Sequence, residues 1–146
     1  MVLRPDSIRQ RLLKLEETVS GLEEVLPART ASPPSRLVDG WAAERGLQVG
    51  AEIILDIGNH ILTAHYGVSP QDYEDIITQL GSHGVIDSEL LGRLKGLGGL
   101  RNVLVHGYLR IDPSRIDEAS ERAPLDFRDF GRAILCWLDA NLATTP

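Results

Sequence analysis

The residues best suited to chemistry lie in the segment 99–108, which reads GLRNVLVHGY. Arg101 stands in a row of leucines with helical spacing, and burying a guanidinium without a partner is costly because it cannot lose its proton. We therefore expect Arg101 to meet either an internal carboxylate or an anion that enters a groove. Free imidazole titrates near about pH 6.5, so histidine, the residue type at position 106, suits proton transfer at neutral pH.

Helical spacing relates three polar side chains of this segment. Asn102 and His106 are four residues apart and share one face, whereas Arg101 and His106 are separated by about 140° around the axis. A long arginine side chain can bridge that angle in a cleft between packed helices. The spacing alone leaves an alternative equally open, in which Arg101 is a salt-bridged core residue and His106 lies on the helix rim by chance.

The chain is acidic overall but locally basic. It has 15 Lys and Arg against 21 Asp and Glu, a formal net charge of −6, which argues against a general nucleic-acid coat protein. No acidic residue occurs between Glu89 and Asp112, whereas four basic residues do: Arg93, Lys95, Arg101 and Arg110. A local positive field of this kind favours phosphate binding.

Hydrophobic periodicity predicts the elements that position these residues. Apolar side chains recur every three to four residues along most of the chain, without convincing strand alternation, so we expect an all-α, antiparallel bundle of four to five helices. We treat 1–146 as a single domain with its core at about 7–142. Gly50 and Gly58 fall inside the second helix, where they indicate close approach of neighbouring helices.

Capping residues and prolines predict where the helices begin and end. Ser7 and Gln10 form a capping box for a first helix that ends at Pro27, followed by a polar connection over 28–35. We expect a second helix over 36–66 and a third helix that has Ser69 as its N-cap, Pro70 as its first residue and its end at Gly81. A fourth helix is expected over 90–108, ended by Asp112 and Pro113. A loop or short helix over 113–122 and a last helix from about 125 complete the chain.

Residues 101–108 resemble the Arg-x4-His-x-Tyr signature of HepT-like toxins, which are members of the HEPN superfamily of helical ribonuclease domains. Residues 51–60 are similar to the second helix of that family. Tyr73–Asp75, together with the turn that ends at Asp87, is similar to its middle segment. These matches cover roughly 45–110 and follow the family's order along the chain.

The resemblance implies a metal-independent endoribonuclease that acts as a homodimer or a higher oligomer and needs no cofactor. His106 would be the general acid or base for attack of the RNA 2′-OH on phosphate, Arg101 the clamp on that phosphate, and Asn102 an orienting group. The motif helices of two protomers would line one cleft. The basic residues then expected to contact RNA are Arg93, Lys95 and Arg110.

Tyr108 occupies the position at which family members are adenylylated by a minimal nucleotidyltransferase (MNT) antitoxin. The resemblance therefore implies such a partner and a toxin–antitoxin pair. An AMP two residues from His106 would add bulk and negative charge where RNA must enter. Without the resemblance, the apolar stripe favours the alternative of a core tyrosine with its hydroxyl at the rim.

Asp56 and His60 form a second polar pair, four residues apart on the predicted second helix. They are candidates for orienting the catalytic pair or binding Arg101, although a plain polar face is the simpler interpretation. No third ligand at suitable spacing accompanies them, so no metal site is expected. The lone Cys136 is expected in the core; it fits a cytoplasmic protein without disulfides, and no apolar stretch is long enough to predict a membrane span.

Two other functions stay open from the sequence. One is a non-catalytic HEPN binding module that assembles with a nucleotidyltransferase. The intact pair of Arg101 and His106 argues against it, because a purely structural module would not need both. The other is an adaptor whose long apolar helices only oligomerise.

Overall fold

The computed structural model describes residues 2–31 and 36–142, and within these ranges it contains helices and no strand. The all-α prediction is therefore confirmed. In the same ranges, no helix combines the length and the apolar composition that crossing a membrane requires. The elements are α1 (Pro5–Ala31), α2 (Arg36–Ala64), α3 (Tyr73–Ser82), α4 (Ser88–Leu94), α5 (Leu97–His106), a 3-10 turn (Tyr108–Arg110) and α6 (Pro113–Leu142).

Three long helices form the centre of the bundle. Helix α1 runs antiparallel to α2, since Arg4, just before α1, donates its backbone N–H to His60 near the end of α2. It also runs antiparallel to α6, where Gly131 faces Leu12 and Arg128 binds Glu23. Helices α2 and α6 therefore run in the same direction. Helices α3 and α5 pack on α2, and α4 packs on α6.

The core is mainly aliphatic, and α2 contributes a full stripe to it. The predicted apolar positions of this helix are all buried: Leu47, Ala51, Ile54, Ile57, Ile61 and Leu62. A side chain on Gly50 would overlap the ring of Phe127 in α6, and a Cβ on Gly58 would lie 2.7 Å from Ile76 Cγ2 in α3. The predicted close approach of neighbouring helices is confirmed at both glycines.

Helix α1 extends beyond its predicted bounds at both ends. It begins at Pro5, whose missing N–H needs no partner at the first helical position. The capping box of Ser7 and Gln10 is therefore wrong: Ser7 lies within the first turn, and its hydroxyl accepts a hydrogen bond from Arg11. The stop at Pro27 is also wrong, because a proline removes one backbone hydrogen bond and this loss does not end the helix here.

The connection predicted after Pro27 is only partly described. Residues 28–31 are helical and belong to α1. Residues 32–35, with the two adjacent prolines, lie outside the described residues. Helix α2 then follows at Arg36 as predicted, and it ends at Ala64, two residues before the expected end.

Helix α3 begins later than the sequence pattern predicts. Its N-cap is Asp72, which has an extended backbone and whose carboxylate accepts the N–H of Asp75 at 2.7 Å. Ser69 and Pro70 precede the helix and do not start it, because Asp72 satisfies the free N–H group of its first turn. The helix ends at Ser82, one residue beyond the expected Gly81.

The helix predicted over 90–108 is in fact two helices. Helix α4 begins after Asp87, which caps it, and the chain turns at Lys95 and Gly96 before α5 starts. Gly96 has φ +90°, a left-handed conformation that glycine adopts without steric cost. Buried leucines on both sides continue the helical pattern and hide this break in the sequence. Because α5 ends at His106, Tyr108 lies outside the helix.

The segment predicted as a loop or short helix over 113–122 forms the first turns of α6. Ile116, Ser120 and Ala123 are buried at helical spacing ahead of Pro124, which stays inside the helix. The apolar stripe thus begins well before the expected start at residue 125. Cys136, in the second half of α6, is exposed, so the prediction that it lies in the core is wrong.

Candidate active site

The start of α5 is held by a side chain from α3. Helix α5 has glycine at its N-cap, so it has no side-chain cap of its own. Glu74 replaces that cap: one carboxylate oxygen accepts the N–H of Gly96 at 2.8 Å, and the other accepts the N–H of Gly98 at 3.0 Å. A carboxylate at this end is also stabilised by the helix dipole. The first turn of α5 is therefore tied to the first turn of α3.

Gly98 allows this junction to close. A Cβ at this position would lie 2.6 Å from the backbone nitrogen of Glu74 and 2.9 Å from the carbonyl carbon of Tyr73. Both atoms belong to the backbone of α3, which cannot move aside as a flexible side chain would. Because Gly98 lacks a side chain, α5 and α3 approach closely enough for the Glu74 hydrogen bonds to form.

Arg101 lies one turn further along α5, largely covered by its neighbours. Its guanidinium carbon lies 4.5 Å from the centre of the Tyr73 ring, an attractive cation–π arrangement. Its Nη2 is 3.7 Å from Glu52 Oε1 on α2, which is an ion pair but is too long for a good hydrogen bond. Its Nη1 donates a weak bond to Asn102 Oδ1 at 3.4 Å. Most of its N–H donors thus remain available to an anion.

His106 is the last residue of α5 and is exposed. Among the residues that the structure describes, none forms a hydrogen bond or ion pair with its ring. Gly107 follows as the C-cap and turns the chain away from the helix axis. The imidazole is therefore accessible to a substrate and free to exchange protons with it.

Tyr108 lies in the 3-10 turn immediately after this cap. Its side chain is 72% exposed, so the alternative of a core tyrosine is wrong. The core position was inferred from an apolar stripe on a helix that continues to residue 108, whereas α5 ends at His106. Leu109 and Arg110 in the same turn are also exposed. The phenol is thus presented on the surface two residues from His106.

Asp56 and His60 lie on α2 beside α1, and Asp56 follows Glu52, the carboxylate that pairs with Arg101, by one helical turn. Together with Arg4 and Arg11 they line a cavity of about 340 Å³. His60 Nε2 accepts the backbone N–H of Arg4 at 3.0 Å, and burial, aided by both arginines, lowers the pKa of His60. Burial raises the pKa of Asp56, although the charges of Arg11 and Arg101 oppose the rise. In the described ranges, no three His, Cys, Asp or Glu side chains converge to hold a metal ion.

The basic residues of the 89–112 stretch have different surroundings. Arg93 is enclosed by carboxylates: its Nη1 and Nη2 lie 2.8 Å from Asp126 Oδ1 and Asp129 Oδ2. These bonds favour a structural role that joins α4 to α6. Lys95 is exposed at the turn before α5, and Arg110 is exposed in the turn after it. The basic stretch therefore does not form one continuous surface.

Three residues that position Arg101 did not emerge from the sequence as site residues. Glu52 lies one helical turn before Asp56 on α2, and Tyr73 and Glu74 open α3. A signal for Glu74 does exist in the sequence: the glycines at 96, 98 and 99 leave a helix start without a side-chain cap, so an acceptor must come from another element. The sequence does not identify which element supplies it.

Comparison with known proteins places this chain in a family. Residues 15–134 match the family described as Ribonuclease HepT-like. A tRNA nuclease HepT of Aphanizomenon flos-aquae is 38% identical over 103 residues, which cover 67% of this chain and 69% of that protein. An mRNA nuclease HepT of Shewanella oneidensis is 32% identical over 84 residues, which cover 58% of this chain and 63% of that protein.

The fold is shared with a solved toxin structure. A tri-AMPylated HEPN toxin of Shewanella oneidensis in complex with an MNT antitoxin superimposes with a TM-score of 0.80, covering 91% of this chain and 99% of that chain at 23% identity. The family match spans α2 to α5 entirely, together with most of α1 and α6, and it includes the segment that carries Arg101, His106 and Tyr108. The chain belongs to the HepT-like ribonuclease family.

Proposed function

We propose that this protein is a metal-independent endoribonuclease toxin in which Arg101 and His106 cleave RNA. The observation that carries the proposal is that one short helix presents a positioned guanidinium and an exposed imidazole. Arg101 is fixed over Tyr73 with donors to spare, and His106 is exposed without a protein partner among the described residues. The HepT-like family and its nuclease relatives support the same activity.

The chemistry uses the nucleophile that RNA itself provides. The 2′-oxygen attacks the adjacent phosphorus, the P–O5′ bond breaks, and a 2′,3′-cyclic phosphate and a 5′-hydroxyl result. One proton leaves the 2′-OH and one must reach O5′, and His106 serves one of these transfers. Arg101 donates to the phosphate oxygens as negative charge builds on them, and Asn102 orients this group. No step in this scheme requires a metal ion.

A homodimer would complete the site. One protomer supplies one Arg101 and one His106, whereas the reaction involves two proton transfers at the same phosphate. Two α5 helices that face each other across a two-fold axis would provide a second imidazole and a second guanidinium. The exposed end of α5 is compatible with such a cleft, and Arg110 in the following turn would contact the RNA backbone.

Adenylylation of Tyr108 by an MNT antitoxin is the proposed means of control. The phenol oxygen attacks the α-phosphorus of ATP, pyrophosphate leaves, and an AMP ester remains two residues from His106. The surface position of Tyr108 supports this assignment, as does the similarity to the Shewanella toxin, which is tri-AMPylated and bound to an MNT antitoxin.

Co-expression with the partner should raise the intact mass by whole adenylyl units, and Tyr108→Phe should abolish or reduce the rise. If the mass of the wild-type protein does not increase, adenylylation as the means of control is wrong.

The nuclease assignment is tested by incubating the protein with RNA in EDTA. Arg101→Ala should lower the cleavage rate by about 10²- to 10³-fold because it removes a transition-state donor. Arg101→Lys should recover little, because lysine cannot reproduce the planar fork. Arg45→Ala, which removes an exposed arginine of α2, is the matched control and should cleave normally. Equal rates in all four proteins, or activity that EDTA abolishes, would contradict the proposal.

A further inference from the structure

A second cavity lies beside α5, on a face of the helix that neighbours the face of Arg101. It has a volume of about 280 Å³ and is bounded by the α4–α5 turn, by the first half of α6 and by Leu47 of α2. Leu97 and Leu100 of α5 form part of its wall, and Leu100 directly precedes Arg101. The cavity and Arg101 therefore occupy neighbouring faces of the same helix, about 100° apart.

The inner wall of this cavity is apolar and well fixed. Leu97 and Phe127 are buried, and the small side chain of Ala119 in α6 lines the cavity beside them. The Arg93 guanidinium, held between Asp126 and Asp129, braces the wall where α4 meets α6. A wall of this kind can accept a flat apolar group without rearranging.

The mouth of the cavity carries unused positive charge. The charged residues that line it are four cations and two carboxylates: Arg93, Lys95, Arg115, Arg122, Glu118 and Asp126. Arg93 and Asp126 neutralise each other, and Arg122 contacts the Arg93 carbonyl at 3.4 Å and Asp126 at 3.9 Å. Lys95 and Arg115 are exposed and form no ion pair with any residue the structure describes. The mouth thus has four cations against two carboxylates, and in a chain of net charge −6 this local positive excess beside an apolar pocket favours an anionic ligand.

Two other cavities are less suited to the substrate. The groove of about 540 Å³ between α1 and α6 is mostly apolar, and its arginines, Arg9, Arg128 and Arg132, are each ion-paired with a carboxylate. The cavity at Asp56 and His60 has no lining residue from α5. The cavity beside α5 adjoins the helix that carries Arg101, and it has two exposed cations without an ion pair among the described residues.

We propose that this cavity binds one nucleotide of the RNA substrate, next to the phosphate held by Arg101. The unstacked base would lie against Leu97, Leu100 and Phe127, and the phosphate would bind Lys95 and Arg115. Unpaired bases are commonly held between apolar or aromatic side chains, with the backbone along a basic rim. The volume is close to the lower limit of small-ligand pockets and suits one base. The proposal rests on the proposed nuclease function, because it assigns the nucleotide to RNA.

The test uses the full chain and a 2′-O-methyl RNA oligonucleotide, which binds but cannot be cleaved. Lys95→Ala with Arg115→Ala should raise its Kd about tenfold and lower the salt dependence of binding by about one unit per residue. Ala119→Leu fills the pocket without changing the charge and should also weaken binding. The matched control, Arg9→Ala with Arg132→Ala, removes two exposed cations at the α1–α6 groove and should change Kd less than about twofold.

Three results would overturn the proposal. Equal weakening by both double variants would mean that only overall charge matters. No effect of Ala119→Leu would place the base outside the cavity. If 5′-AMP shifts the methyl resonances of Leu97 and Ala119 while the variants leave RNA affinity unchanged, the cavity is a site for free nucleotides and not for RNA. Because the oligonucleotide cannot be cleaved, its binding is measured independently of whether Arg101 and His106 are catalytic.

Discussion

The two ends of α5 are held in different ways. At its start, Glu74 accepts two backbone N–H groups, Gly98 contacts the backbone of α3, and Arg101 lies over Tyr73. At its end, His106 is exposed and the chain leaves the helix at Gly107. The fixed start orients Arg101, for which we propose phosphate binding, whereas the free end leaves the His106 imidazole exposed. One short helix thus combines positional precision with access.

The strongest test of the fixed start is Gly98→Ala. The new Cβ would meet backbone atoms of α3, so we expect a loss of about 2 kcal/mol or more in the free energy of unfolding. Gly99→Ala is the matched control, because no described atom lies within 4 Å of the added Cβ. Since alanine favours a helix, that variant should be neutral or stabilised by up to about 1 kcal/mol. Urea denaturation measures the free energy of unfolding of both variants. Equal values would contradict a close contact between Gly98 and the backbone of α3.

Removing the Glu74 cap should lower the free energy of unfolding by less than Gly98→Ala does. Glu74→Ala leaves two N–H groups at the start of α5 without their acceptor, and we expect a cost of about 1–2 kcal/mol. Glu74→Gln keeps one neutral acceptor and should recover part of this loss. Glu121→Ala, an exposed carboxylate of α6, is the control for loss of charge alone. If Glu74→Ala and Glu121→Ala unfold at the same urea concentration, Glu74 does not hold α5.

His60 offers a contrast to the free histidine at the end of α5. Its pKa is lowered by burial and by the charges of Arg11 and Arg4, so the fold favours neutral His60. The unfolded chain takes up the proton near pH 6.5, its ordinary value. The stability that depends on neutral His60 is therefore complete above about pH 6.5 and is lost as the pH falls towards the lower pKa of the folded state.

The comparison with His60→Gln isolates this small effect. Glutamine can still accept the Arg4 N–H but does not titrate. The stability of the wild type relative to His60→Gln should be constant well above pH 6.5 and should fall as the pH drops through and below that value. The groups that face His60 from α1 and α2 are Arg4, Arg11 and Asp56, and they are the same in both proteins. A difference that does not depend on pH would contradict the assigned pKa shift.

The sequence predicted the local patterns well and the junctions between elements poorly. The stripe of α2 and the close contacts at Gly50 and Gly58 follow from helical period and from the absence of a side chain. The break at Gly96 was missed because leucines on both sides preserve the period although the helix direction changes. The end of a helix depends on which element supplies the missing hydrogen-bond partners.

The basic stretch shows the same limit for the candidate site. Counting charges treats Arg93 and Arg101 alike, since both lie in the stretch between Glu89 and Asp112 that contains no acidic residue. The structure pairs Arg93 with Asp126 and Asp129, more than thirty residues away, and leaves Arg101 with a looser contact to Glu52. A partner distant in sequence decides which arginine remains available to phosphate.

We propose that the free imidazole at the end of α5 performs chemistry and is not needed for folding or binding. The most direct test measures both properties on one His106→Ala sample. We expect its Kd for 2′-O-methyl RNA to stay within about threefold of the wild type, because the side chain is exposed, while single-turnover cleavage falls by at least about 100-fold. Normal binding with cleavage within about tenfold of the wild-type rate would contradict the account.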